Sequence, residues 1–95
     1  MDLSKLRYTI ALAEELNFTR AAERCHISQP PLSRAIRDIE DKVGTKLFER
    51  SKHHVQITPA GTSFVNTARK IIDLLESGAL AARETADGLG GSQSN

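Results

Sequence analysis

The chain has 95 residues, of which 39% are hydrophobic and 26% charged, with a single cysteine and a formal net charge of +1. That length suits one small domain with a compact core and leaves no room for a large ligand cavity as well. Cys25 alone excludes an intramolecular disulfide and any multi-cysteine zinc site. The first residues lack a basic-then-apolar signal pattern, and no apolar run approaches a bilayer's width, so a reducing cytoplasm and no membrane partner are expected.

The charge is unevenly spread. Residues 1–19 carry two basic and three acidic side chains, residues 20–58 eight and five, and residues 59–95 three and four, giving −1, +3 and −1. An anionic partner would meet the middle segment, but so small a surplus calls for well-placed contacts and a doubled site more than for a strongly basic surface.

Asp2 can cap a first helix running to about Leu16, with Leu3, Leu6, Ile10 and Ala13 on one side and Tyr8, Leu12 and Leu16 rotated from it. Asn17-Phe18-Thr19 breaks that pattern, and Thr19 is the candidate cap of a short second helix through Ala21, Ala22 and Cys25. Only His26-Ile27 separates this helix from Ser28, so the next helix must leave at a sharp angle, as in a helix-turn-helix. Cys25, among alanines, reads as a small buried hydrophobe more readily than as a redox site.

The third helix has two unlike faces. Leu32, Ala35, Ile36, Ile39 and Val43 form one apolar stripe, while Gln29, Pro30, Ser33, Arg34 and Arg37 lie away from it, followed by Asp38, Glu40 and Asp41. A Ser28 cap would normally accept the N–H of the second or third helical residue. Here those are Pro30 and Pro31, which have none, so the hydroxyl is expected to stay free at a stiff, uncharged tip. Gln and Arg can make bidentate contacts to adenine and guanine edges, which makes this a candidate recognition helix; the alternative is an ordinary solvated face.

Gly44 is placed to end that helix, and Leu47 to Arg50 and Val55 to Ile57 read as two short strands around Ser51-Lys52-His53-His54. Such a hairpin is a wing, with Arg50, Lys52 and His53 as candidate DNA contacts; a solvated turn is the alternative, and the histidine pair is poorly spaced for a metal, so none is expected. Thr58-Pro59 starts a long helix. Val65, Ala68, Ile72, Leu75, Ala79, Ala82 and Ala86 recur at alternating spacings of three and four, which is the a/d pattern of a helix that pairs with another, and they are the candidate dimer seam. Phe64, Ile71 and Leu74 are then left to hold the helix to its own domain. From Gly88 the composition turns to Gly, Ser, Gln and Asn, so residues 88–95 read as a flexible hinge or tail.

Taken together, Ala21-Ala22, the run Ser28-Gln29-Pro30-Pro31-Leu32-Ser33, Ile36, Leu47-Phe48-Glu49-Arg50 and Thr58-Pro59-Ala60-Gly61 resemble the N-terminal DNA-binding domain of LysR-type transcriptional regulators from Met1 to about Ala86. The Gln-Pro-Pro-Leu-Ser-Arg wording is similar to regulators of aromatic-compound breakdown. The resemblance implies a mainly α fold: a winged helix-turn-helix over residues 1–58, then a linker helix over residues 59–87 that pairs antiparallel with its counterpart. It implies a homodimer on an interrupted palindrome of double-stranded promoter DNA, tetramers in the intact protein, and RNA polymerase as a further partner. Gln29, Pro30, Pro31, Ser33 and Arg34 match family positions that touch DNA, and Ser28, Arg37, Thr19 and Arg20 join them as candidates. Family members continue into an effector domain that binds a small molecule. This chain is accordingly expected to be a DNA-binding fragment with no cofactor of its own. At the wing tip His53 stands where many relatives carry arginine. A winged-helix protein-interaction module is the competing reading. An enzyme is not expected, because no nucleophile with a base, paired carboxylates or phosphate-cradling glycine loop is present.

Overall fold

A computed structural model of the chain describes residues 1–93, with side chains described as far as Gly88. The elements run α1 (Leu3–Glu15), α2 (Phe18–Arg24), α3 (Gln29–Val43), β1 (Phe48–Arg50), β2 (Val55–Ile57) and α4 (Pro59–Gln93). No helix among the described residues is long and apolar enough to cross a membrane.

The start of α1 follows from Asp2, whose carboxylate accepts the Lys5 N–H at 2.9 Å. Three elements, α2, α3 and α4, pack on α1, where two partners would have matched its two apolar stripes. Thr9 is a fully buried polar residue of α1, and its hydroxyl donates to the Lys5 carbonyl at 2.8 Å and so needs no partner outside its own helix. Leu6, Leu12, Leu32, Ile36, Ile39, Leu47 and Phe48 form the shared core.

Helix α2 is capped by Asn17 and not by Thr19: the Asn17 carboxamide oxygen accepts the Arg20 N–H at 2.9 Å. A residue three positions before the bonded N–H is the one that can reach it, and Thr19 already lies inside the helix. Gly44 ends α3 in the left-handed conformation, at φ 89°. Phe48↔Ile57, Glu49↔Gln56 and Arg50↔Val55 pair antiparallel to make the wing.

Thr58 caps α4 through a bond from the Gly61 N–H to its hydroxyl at 2.9 Å, and Pro59 takes the first helical position. The same hydroxyl donates to the Lys46 carbonyl at 2.9 Å, and the Thr58 N–H donates to that of Leu47 at 2.9 Å. The first turn of α4 is thereby pressed onto the root of the wing. Gly61 makes the approach feasible, since a Cβ there would lie 2.1 Å from the Leu47 carbonyl oxygen.

Each apolar face of α4 is divided along its length: Phe64 packs on the core and Leu75, Ala79 and Ala82 are exposed, as expected of their faces, but the other residues are placed in the opposite sense. Val65, Ala68 and Ile72, expected in a dimer seam, are buried within the chain, whereas Ile71 and Leu74, expected to hold the helix in place, are exposed, Leu74 at 72%. The spacing of three and four is the same for a helix that packs on its own domain as for one that packs on a partner. Only the direction in which Thr58 and Gly61 seat the helix separates the two. Helix α4 also runs on to Gln93, past the expected end at residue 87. Glycine lowers helix stability by about 1 kcal/mol relative to alanine but, unlike proline, removes no hydrogen bond. Residues 94–95 of the expected tail lie outside the described residues. The helix gives the molecule its long dimension of 63 Å against 25 and 18 Å across.

Candidate nucleic-acid interface

The turn between α2 and α3 sets the angle of the site. The Ile27 N–H donates to the Ala22 carbonyl at 3.0 Å and the His26 N–H to that of Glu23 at 3.1 Å, the pair of bonds of a Schellman turn. Its left-handed position is taken by His26, at φ 59°, where glycine would carry no steric cost. The exposed His26 ring leaves no trace in a pattern of apolar spacing, so the strain is visible only in the backbone.

At the tip of α3 the free hydroxyl is as expected: Ser28 makes no side-chain cap bond, with proline at the following positions. Ser28, Gln29, Pro30, Arg34 and Arg37 are exposed, and Pro31 and Ser33 half-buried. The Gln29 amide donates from Nε2 to the Thr19 hydroxyl at 2.8 Å. Thr19 therefore joins the site as a support that steadies Gln29, not as a helix cap. An amide held at one end by its neighbour keeps its oxygen and second N–H for an outside group.

The electrostatics sort the cations into two sets. Lys5, Arg7, Arg24, Lys46, Arg50 and Arg69 are paired with carboxylates. Arg20 on α2, Arg34 and Arg37 on α3 and Lys52 on the wing make no ion pair among the described residues. Lys42 near the end of α3 and Lys70 and Arg83 on α4 are unpaired among the described residues as well, so free cations are not confined to this face, while the paired ones tie α1 to its neighbours and the wing to α3.

On the wing, the Ser51 N–H closes the turn onto the His54 carbonyl at 2.9 Å, which leaves Lys52 and His53 exposed at the tip. Arg50, expected as a free wing cation, is committed instead. Its guanidinium lies 3.4 Å from Glu40 Oε1 and stacks over the Phe18 ring at 5.3 Å from the centroid. Glu40 is the residue that sequence reasoning missed, having been grouped with Asp38 and Asp41 as a solvated acid. It is 5% exposed and its Oε2 accepts the Leu47 N–H at 2.8 Å and the Phe48 N–H at 3.2 Å. The available signal was position, since Glu40 follows Leu32 and Ile36 at intervals of four and so borders the apolar stripe.

Away from this face a groove of about 500 Å³ lies between α1 and α4, lined by Tyr8, Ile10, Glu14, Arg24, Cys25 and Arg69 among others. Hydrogen bonds and charge from Arg24 and then Arg69 lower the pKa of Glu14, while burial raises that of the Cys25 thiol and makes it less reactive. The Arg69–Glu14–Arg24 chain, with Arg69 Nη2 2.9 Å from Glu14 Oε2, ties α4 and the end of α2 to α1.

Known proteins share both this sequence and this geometry. The chain is 49% identical over 84 residues to the Hca operon transcriptional activator HcaR of Escherichia coli, a stretch that covers 88% of the chain and 28% of HcaR. It is 47% identical over 94 residues to the HTH-type transcriptional regulator BudR of Klebsiella aerogenes, covering 99% of the chain and 66% of BudR. The chain therefore spans between about a quarter and two thirds of the length of such relatives. Its fold superposes on the crystal structure of the CbnR DNA-binding domain in complex with DNA at a TM-score of 0.87 and 38% identity, covering 90% of the chain and 99% of that domain. Residues 3–62, which hold the capped turn, the proline-stiffened tip and the wing, match the bacterial regulatory helix-turn-helix proteins of the lysR family, and the chain belongs to that family.

Proposed function

We propose that this chain binds double-stranded promoter DNA sequence-specifically, as a homodimer on an interrupted palindrome, and so provides the DNA-reading part of a bacterial transcriptional regulator. The observation that carries this reading is the tip of α3. A rigid first turn offers a free hydroxyl and a steadied amide, and the two turns that follow add the unpaired guanidinium groups of Arg34 and Arg37, all exposed. These are donors and acceptors of the kind that read base edges in a major groove, and the CbnR domain of the same fold is DNA-bound. In this reading Ser28, Gln29, Pro30, Pro31, Ser33, Arg34 and Arg37 meet the major groove. Thr19 and Arg20 approach the backbone at the start of the motif, and Lys52 and His53 reach the flanking minor groove or phosphates. A protein-interaction module has less support, because this face offers no large exposed side chain that could anchor an apolar pocket.

The dimer seam is the outer stripe of α4. Ile71 and Leu74 are exposed on it, and it is bordered by Leu75, Ala79 and Ala82, which continue the stripe of Val65, Ala68 and Ile72 beyond the core and are exposed where the helix projects from the body. An antiparallel pair of such helices buries these side chains and sets two α3 tips at a fixed spacing, as two half-sites require. The test is equilibrium binding by fluorescence anisotropy, at one stated salt concentration, to promoter duplexes and to random-sequence duplexes. A specific duplex bound about 10³-fold or more tightly supports the reading, and equal affinities contradict it.

A further inference from the structure

Glu40 lies on the buried side of the recognition helix, away from the tip that faces outward, yet it holds the wing. Its Oε2 accepts the Leu47 and Phe48 N–H groups, at 2.8 and 3.2 Å, at the point where the chain enters β1. Its Oε1 faces the Arg50 guanidinium at 3.4 Å and the Lys46 ammonium at 3.9 Å. Arg50 extends the linkage to the first residue of α2 by stacking on Phe18. One buried carboxylate thus joins α3, the root of the wing and, through Arg50, the start of α2. Thr58 grips the same root from the other side through the Lys46 and Leu47 carbonyls.

Two short strands of three residues each cannot hold an orientation by themselves. From this geometry we infer that Glu40 and Arg50 are positioning residues for DNA reading. They set the wing at a fixed distance and angle from the α3 tip, so that Lys52 and His53 engage the duplex only when Ser28 to Arg34 are seated in the groove. Arg50 accordingly serves DNA binding from inside the fold and not as a phosphate contact. This inference rests on the DNA-binding reading above.

Glu40→Ala would leave two buried N–H groups without an acceptor and could unfold the root of the wing, so the test uses Glu40→Gln and Arg50→Met. Glu40→Gln keeps a carbonyl acceptor and removes the charge, and Arg50→Met keeps an apolar stem over Phe18 and removes the guanidinium. The measurements are hydroxyl-radical footprints and affinities on a specific duplex, with and without Lys52→Ala, and amide hydrogen exchange of the free chain. Both variants are expected to keep the α3 footprint, lose protection at the flank and bind about tenfold more weakly. Lys52→Ala should cost several-fold in the unaltered chain and almost nothing beside Arg50→Met, because a wing that is no longer presented has no contact left to lose. Arg50→Lys, which can still pair with Glu40 and stack on Phe18, should restore flank protection. Additive losses, or an unchanged flank footprint in both variants, would overturn the inference while leaving DNA binding intact. An unaltered chain that binds no duplex would overturn the DNA-binding reading and this inference with it. Faster exchange at Phe48 in Glu40→Gln, with no change in the α1 core, supports the clamp independently of any DNA.

Discussion

Helices α3 and α4 each put one apolar stripe into the same core, and they differ in what the opposite side offers. The outer side of α3 is polar, with Ser28 and Gln29 at a stiff first turn and Arg34 and Arg37 exposed on the turns that follow. That of α4 is apolar, with Ile71 and Leu74 at 42% and 72% exposed and Leu75 beside them at 48%. The difference teaches how one short chain can present two chemically unlike surfaces. Directional groups on a rigid support suit a partner with a pattern of donors and acceptors, and a non-directional apolar stripe suits a second protein surface.

The sharpest way to break the comparison is to exchange burial for charge on the two sides of α4. Leu74→Glu should convert dimers to monomers in sedimentation equilibrium and remove the concentration dependence of the melting temperature. An unpaired charge in such a seam costs about 3–5 kcal/mol, and a two-fold interface contains it twice. Ile72→Ala, on the inner side, should instead lower folding stability by about 2–5 kcal/mol in denaturant titrations of the monomeric background. Were Leu74→Glu to leave the dimer intact, the outer stripe would not be the seam.

On α3 the contrast is between reading and attraction. Arg34→Ala should lose about 1–3 kcal/mol on the specific duplex and relax selectivity at one base position per half-site. Lys52→Ala should weaken all sequences alike and reduce the salt slope by about one per contact. Equal losses for Arg34→Ala on specific and random duplexes would mean that it meets phosphate only.

A smaller effect tests the turn that aims α3. His26 occupies a left-handed position, φ 59°, that glycine adopts freely. His26→Gly should therefore raise stability by about 0.5–1 kcal/mol, measured by chemical denaturation, provided the ring makes no contact with DNA that is lost. A destabilised variant would show that the ring contributes more than its backbone conformation costs.

The smallest expected effect concerns what holds α4 to the body. Glu14 has its pKa lowered below the usual 4.5 by the Arg24 hydrogen bond first and the Arg69 bond after it. A lowered folded pKa means that the stabilisation is fully present above the unfolded value and is lost as pH falls through the folded one. Glu14→Gln should cost less than about 1 kcal/mol at pH 7, since the groups are partly exposed and screened. The gap to the unaltered chain should close as the pH is lowered below 4.5. A gap that persists under acid would assign the loss to packing.

Local rules acting over a few residues made much of this molecule legible without coordinates. Asp2, Thr58-Pro59 and Gly44 mark helix ends because a cap bond or a left-handed residue is decided within one turn, and Pro30 and Pro31 leave the Ser28 hydroxyl free for the same reason. The apolar stripe of α3 and the alternation of Val55 and Ile57 followed from helical and strand periods, and the specific wording from Ser28 to Ser33 carried the family. What the tertiary structure alone decided was which partner each group meets. Val65, Ala68 and Ile72 share their spacing with a dimer seam, and only the seating of α4 on Leu47 turned them inward. Glu40 looked like its neighbours Asp38 and Asp41 until the root of the wing, seven and eight residues on, brought two N–H groups to its carboxylate. Arg50 looked free until that carboxylate and the Phe18 ring were folded against it. Periodicity reports which face a residue occupies, whereas hydrogen bonds and ion pairs across elements depend on distances that only the folded chain sets.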